Sequence, residues 1–347
     1  MTSVPRKEIR VAIARPAHDE TFSSVVDRAA AFWGMDRTGL MGSWMLDEAS
    51  AAQAADADAP TPDLLSVLAQ TIGVDEETMR QTVVDHEDML VAAAHRIAYC
   101  PLCWVEDWEE GRGPYFRRPW CSLAAIKCER HGVPLYPWPR NSRGVRCPPP
   151  VRQDTGLHDE VWHHSVNHAH QWRDASDNQS LRNLLSDISA FSARAVEALC
   201  DGEFPRDWRG DTCALRDLVV LLATNPAPFA ERIPLDRLVP EVSDERMFGG
   251  LRRSAAPETS QAGWGAVRQL GSPQVRRTLW WLVARTIDPR WKPMPIRGLP
   301  GICYDTQTWW KRRIEASVSG YGLLEAQRVS SQLSLCIPEQ IRDLFAA

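Results

Sequence analysis

The stretch Tyr99-Cys-Pro-Leu-Cys-Trp-Val-Glu-Asp107, answered further on by Cys128-Glu-Arg-His-Gly-Val-Pro-Leu135, decides how this chain is read. Within it Cys100, Cys103, Cys128 and His131 form the pattern Cys-x2-Cys-x24-Cys-x2-His. Structural zinc takes four nitrogen and sulfur ligands in a tetrahedron, and two ligands on one tight turn grip the metal from one side. Two such turns joined by a loop close the tetrahedron. The spacing therefore predicts zinc on Cys100, Cys103, Cys128 and His131. Four protein ligands leave no position for water, so such a centre holds structure and does not perform hydrolysis. The alternative is a set of reduced, buried cysteines beside a surface histidine, and the paired turns favour the metal.

Outward from these turns, the chain reads Pro114-Tyr-Phe-Arg-Arg-Pro-Trp120 between them and His18-Asp-Glu-Thr-Phe-Ser-Ser24 upstream. A Cys-Pro-x-Cys turn, a Glu-Asp soon after it, the Tyr-Phe-Arg-Arg-x-Trp stretch, the Cys-x-x-His-Gly closing turn and the Glu-Thr-x-Ser-Ser cap together resemble the TniQ family of bacterial transposition proteins. The resemblance is dense from about Ala17 to Leu135 and loose beyond. It implies a protein that does no chemistry of its own. The implied role is a target-selection adaptor in DNA transposition, linking a target-recognition complex or target DNA to the transposon's AAA+ ATPase regulator and transposase. The partners it implies are that ATPase regulator and either an RNA-guided CRISPR complex or target DNA, with a homodimer as one mode. Many members carry a second Cys-Pro-x-Cys after the His-Gly turn. Here that place reads Tyr136-Pro-Trp-Pro-Arg140, with a solitary Cys147 beyond it. Cys147 could pair with His158, His163, His164, His168 or His170, since His164 and His168 share one helix face. A solvated polar connector is the better reading of that stretch.

A chain of 347 residues, 44% hydrophobic and 24% charged, has room for two or three domains and more than one core. No apolar run approaches a membrane span, and no apolar stretch follows the basic residues near Met1. Nine cysteines without a secretion signal predict a reducing compartment, the cytoplasm, and metal ligation over disulfides. The net charge of −5 is unevenly spread: Met1–Ala98 carries 8 basic and 16 acidic residues, so the remainder is slightly basic. The most cationic stretch is Arg276–Glu315. Phosphate contacts supply most nonspecific nucleic-acid affinity, so nucleic-acid contact is expected towards the C-terminus.

The fold class expected is mainly α. An N-terminal helical, helix-turn-helix-like domain spans 1–97, and a small zinc-ribbon-like module with a hairpin or two spans 98–150. A polar, His-rich connector at 151–178 leads to a C-terminal helical domain over 179–347. Thr21 or Ser23 caps a helix running to about Trp33, which Gly34 ends. Asp63–Ile72, a turn at Gly73, and Asp75–Val84 read as helix, turn, helix. Asp75, Glu76 and Glu77 at the start of the second helix suit its dipole but repel phosphate, so this unit is read as a protein-contact module. Later helices are expected from Ser180 and over 212–223, 273–287, 305–318 and 321–333, with a final one from Pro338.

Candidate contact residues for nucleic acid or a partner are Arg117 and Arg118, and the basic cluster Lys311, Arg312 and Arg313 beside Trp309 and Trp310. The internal alternative for Arg117 and Arg118 is pairing with Glu106, Asp107, Glu109 or Glu110. Trp280 and Trp281 read more readily as core than as stacking platforms. No phosphate loop, nucleophile elbow or two-metal carboxylate set is present, which argues against ATP hydrolysis and transposase chemistry. The alternative function is a zinc-containing, sequence-specific transcriptional regulator. A metallohydrolase built on the histidines would need a carboxylate near an open metal position, and only Asp154, Asp159 and Glu160 are at hand.

Overall fold

The computed structural model describes residues 15–40 without 36 and 38, then 58, 60–84, 89–138, 165–167, 179–224, 260–290 without 289, and finally 327–329, 331 and 333. The chain divides into two compact units, Met1–Ser122 with Cys128–Asp177, and Leu123–Lys127 with Asn178–Ala347. Among the described residues the fold is mainly helical, with one two-stranded sheet.

In the first unit, helix α1 spans Phe22–Phe32. Thr21 caps it, its Oγ1 accepting the Ser24 amide at 3.2 Å. Every residue from Phe22 to Ala30 is buried, so α1 runs through the unit and does not lie on it. Helix α2, Pro62–Ile72, is capped by Thr61 and has proline at its first position, where the missing N–H costs nothing. It stops at Gly73, whose φ of 76° lies in the left-handed region that favours glycine. Helix α3 is short, Glu76–Arg80, behind an Asp75 cap. Phe22, Val25, Val26, Ala29 and Ala30 of α1 share one core with Leu40, Leu64, Leu65, Leu68, Ala69, Ile72 and Met79.

The sequence pattern carries α3 on to Val84, and the structure ends it after one turn. Thr82 turns its hydroxyl back to the Met79 carbonyl at 2.6 Å. Its own carbonyl then accepts the Phe22 amide at 2.9 Å. The start of α1 has amides without helical partners, and satisfying one of them there outweighs a further turn of a β-branched run.

The Cys/His module follows in the same unit. Strand β1, Ala98–Tyr99, pairs antiparallel with β2, Tyr136–Pro137, so the pair joins the two ends of the module instead of forming a hairpin within it. Helix α4, Pro101–Glu109, starts immediately after β1.

The second unit is a helical cluster. Helices α5, Gln179–Asp201, α6, Thr212–Thr224, α7, Ser260–Arg268, and α8, Pro273–Ile287, pack chiefly around α6, with α5 also on α8. The start of α5 and both ends of α6 and α8 agree closely with the apolar periodicity, which does not predict α7. Trp280 and Trp281 are both buried, so they belong to the core. Leu123–Lys127 is held inside this unit by side chains that donate to successive carbonyls. Trp280 Nε1 reaches Leu123 at 2.9 Å, Ser192 Oγ reaches Ala124 at 3.0 Å, and Arg276 Nη2 reaches Ala125 at 2.8 Å. No described helix is long and apolar enough to cross a membrane. The helices expected over 305–318 and from Pro338 lie outside the described residues, as does most of the one expected over 321–333.

Candidate metal centre

Two local structures bring the four residues together. Cys100 stands at the N-terminus of α4 and Cys103 in its first turn, and the Trp104 amide donates to the Cys100 carbonyl at 3.2 Å. Residues three apart on a helix lie on one face, so both thiols point the same way. The second turn is closed by the Gly132 amide on the Cys128 carbonyl at 2.8 Å and by the Cys128 amide on the Val133 carbonyl at 2.7 Å. Gly132 has φ of 66°, which is why glycine follows His131 here.

The donor atoms of Cys100, Cys103, Cys128 and His131 all lie within 4.8 Å of one another. His131 Nδ1 is 3.5 Å from Cys100 Sγ, 3.4 Å from Cys103 Sγ and 3.6 Å from Cys128 Sγ, and the Cys103 and Cys128 sulfurs are 3.6 Å apart. A zinc tetrahedron with ordinary bond lengths has edges of about 3.8 Å between sulfurs and about 3.6 Å between sulfur and nitrogen. The four residues fit a metal ion, and the three cysteines are almost wholly buried.

The electrostatics favour positive charge at the centre of this group. Hydrogen bonds from Cys100 and then Cys103 hold the Cys128 thiol far below its ordinary value. Burial pushes the Cys100 thiol up. Hydrogen bonds with Cys103 and Cys128 push His131 up to about 10. A cation at the centre would take the place of the protons that the Cys128 sulfur, its neighbouring thiols and His131 here share.

Aromatic side chains back the centre. Trp104 is fully buried, 4.4 Å from the Tyr99 ring, 4.8 Å from Trp138 and 5.4 Å from Phe116 between centroids, and its Nε1 donates to the Tyr115 carbonyl.

Arg117 and Arg118 occupy different surroundings. Arg117 is buried, with Nη2 on Asp107 at 2.8 and 3.0 Å and Nε on Asp19 at 3.1 Å. Its guanidinium lies 4.1 Å from the Tyr115 ring centroid and 5.0 Å from that of Trp120. Burial alone would ease its proton off, and the Asp107 charge reverses this and holds Arg117 above its ordinary value. Burial pushes the Asp107 carboxyl up to about 6 against the pull of Arg117. Arg118 is half-buried and donates to the His18 carbonyl at 2.8 Å, while its amide donates to the Asp19 carbonyl at 2.7 Å. Tyr115 closes this cluster with its hydroxyl on Asp19 at 2.9 Å. These residues join the opening His18–Ser24 stretch to the Cys/His module. Lys311, Arg312, Arg313, Cys147 and the histidines His158, His163, His164, His168 and His170 lie outside the described residues.

In the sequence Glu106 reads only as a possible partner for Arg117 and Arg118. The structure puts its Oε1 2.9 Å from His131 Nε2. The signal was present, since Cys100, Cys103 and Glu106 are spaced three apart along one helix face.

Neither a curated protein nor a solved structure matches the chain. The TniQ family model matches residues 12–135, a stretch that runs from ahead of α1 to just beyond the second ligand turn. Helix α1, the arginine cluster and the four Cys/His residues lie within that match, and residues 12–135 are thus similar to the TniQ family.

Proposed function

We propose that this protein is a non-enzymatic target-selection adaptor in DNA transposition, linking a target-recognition complex or target DNA to the transposon's AAA+ ATPase regulator and, through it, the transposase. The observation that carries this reading is the match to the TniQ family model over residues 12–135, which implies a transposition-associated role. The cytoplasm is where such a protein would act. Zinc is the metal this centre would take, with Cys100, Cys103, Cys128 and His131 as ligands. The ion would supply a structural cross-link between two turns that are distant in sequence. With all four positions filled by protein, no site is left for substrate or water. The domain then presents surfaces and does not carry out a reaction. Lys311, Arg312 and Arg313 are the residues proposed to touch a nucleic-acid backbone or an acidic partner surface.

The test is a reconstituted insertion assay with the transposon's own ATPase regulator and transposase, scored for frequency and position of insertion. Leaving this protein out should abolish targeted insertion, and adding it back should restore it. Replacing Lys311, Arg312 and Arg313 together by Ala should lower targeted insertion and leave the melting temperature unchanged. Targeted insertion at the normal level without the protein would overturn the adaptor reading. Tight, sequence-specific duplex binding by the protein alone would favour a transcriptional regulator instead.

A further inference from the structure

We infer that Glu106 is a positioning residue of the metal centre: it holds the His131 ring so that Nδ1, and not Nε2, completes the ligand set. This rests on the zinc reading above. Two facts of geometry support it. All three sulfurs lie 3.4 to 3.6 Å from Nδ1, while Nε2 faces away from them and meets Glu106 Oε1 at 2.9 Å. Glu106 shares its helix, α4, with Cys100 and Cys103, and has an arginine close by on its other oxygen: Oε2 is 2.9 Å from Arg130 Nη2.

The chemistry follows from the two ring nitrogens. A neutral imidazole donates from one nitrogen and offers a lone pair at the other. A carboxylate accepting from Nε2–H keeps the hydrogen there and leaves the Nδ1 lone pair aimed at the sulfurs. It also makes the ring a stronger donor to a cation. His131 needs this more than the cysteines do. Its side chain is 13% exposed, on the open edge of an otherwise closed centre, and a ring that rotates there loses the ligand. The Glu106–Arg130 pair flanks that edge.

The experiment uses the full chain loaded with zinc, or with cobalt(II) as a spectroscopic probe. Long-range proton–nitrogen NMR of histidine-labelled, zinc-loaded protein should show His131 bound through Nδ1 and protonated at Nε2. In competition with a chromogenic chelator, Glu106→Ala should lose roughly 10- to 100-fold in metal affinity. Glu106→Gln still accepts the Nε2 hydrogen through its amide oxygen, so it should keep the Nδ1-bound ring and recover most of that affinity. In a His131→Cys background, where no ring needs orienting, Glu106→Ala should cost nothing. A purely structural Glu106 would give the same loss in both backgrounds. Binding of His131 through Nε2 in the unaltered chain overturns the inference. So does a Glu106→Ala chain with unchanged affinity and an unchanged cobalt absorption spectrum. If Glu106→Ala fails to fold, the NMR of the unaltered chain and the Glu106→Gln affinity still decide. A chain that binds neither zinc nor cobalt overturns the zinc reading itself, and this inference with it.

Discussion

The Cys/His module and the C-terminal helical unit are held together by different forces. Among the described residues of the module, regular structure is sparse: two strands of two residues each, one nine-residue α-helix and a four-residue 3-10 turn at Arg118–Cys121. Its order comes from the ligand cluster, a packed group of aromatics, and the buried Arg117–Asp107 pair with the half-buried Asp19 beside it. The C-terminal unit instead buries continuous apolar faces, such as Leu185, Ile188 and Phe191 on α5 and Leu215, Leu218 and Val219 on α6. A module of the first kind depends on a few specific groups, and losing one is severe. A unit of the second kind spreads its stability over many contacts, so single losses are graded.

The largest break in this contrast should come from Cys103→Ser. Metal binding and folding are coupled at such centres, so this variant should bind no zinc and the first unit should unfold, while much of the helical signal of the second unit persists. Metal analysis with circular dichroism checks this. Full zinc retention in the variant would refute the ligand assignment.

Next in size is Arg117→Ala, which leaves the Asp107 carboxylate buried without its main partner. Removing one member of a buried pair costs about 3–5 kcal/mol. The pH dependence sharpens the test. Asp107 has a folded value of about 6, above the ordinary carboxylate value. The folded state therefore binds this proton more tightly than the unfolded state. The stability gained from protonation is complete below about pH 4 and lost as pH rises through 6. In Arg117→Ala the carboxyl should rise further, so the deficit should be largest above pH 6 and shrink on acidification. Urea denaturation from pH 5 to 8, with zinc in excess, measures this. A deficit independent of pH would show that the carboxylate is not the cause.

A smaller effect is expected from Trp280→Phe, which keeps an aromatic ring in the core but removes the donor to the Leu123 carbonyl and part of the buried ring volume. The loss should be about 1–3 kcal/mol, confined to the second unit. The smallest is Thr21→Ala, which removes a helix cap and should cost about 1 kcal/mol. Thermal denaturation ranks the two. If Thr21→Ala instead proved as damaging as Arg117→Ala, the start of α1 would hold the module more tightly than its cap alone explains.

Much of the candidate site was legible in the chain. Ligand type and spacing are local chemistry, and the two turns that carry them are set by Pro101 and Gly132, so Cys100, Cys103, Cys128 and His131 could be singled out from spacing alone. Apolar periodicity likewise placed α1, α2, α5, α6 and α8, because a helix face is a property of a short stretch. Other features depend on partners far away in the chain. Arg117 reads as a surface contact or an internal pair with equal ease, and only packing against Asp19, Asp107, Tyr115 and Trp120 makes it internal. Helix α3 stops early because the Thr82 carbonyl is needed by Phe22, some sixty residues upstream. Leu123–Lys127 sits by sequence between the two ligand turns, yet it belongs to the second unit because Ser192, Arg276 and Trp280 satisfy its carbonyls. The sequence by itself determined which residues could bind metal and which stretches would be helical, since both follow from spacing within a turn or two. Only the tertiary structure decided which charges are buried, where a helix must yield, and which unit a loop joins, because those outcomes depend on satisfying polar groups across long sequence separations.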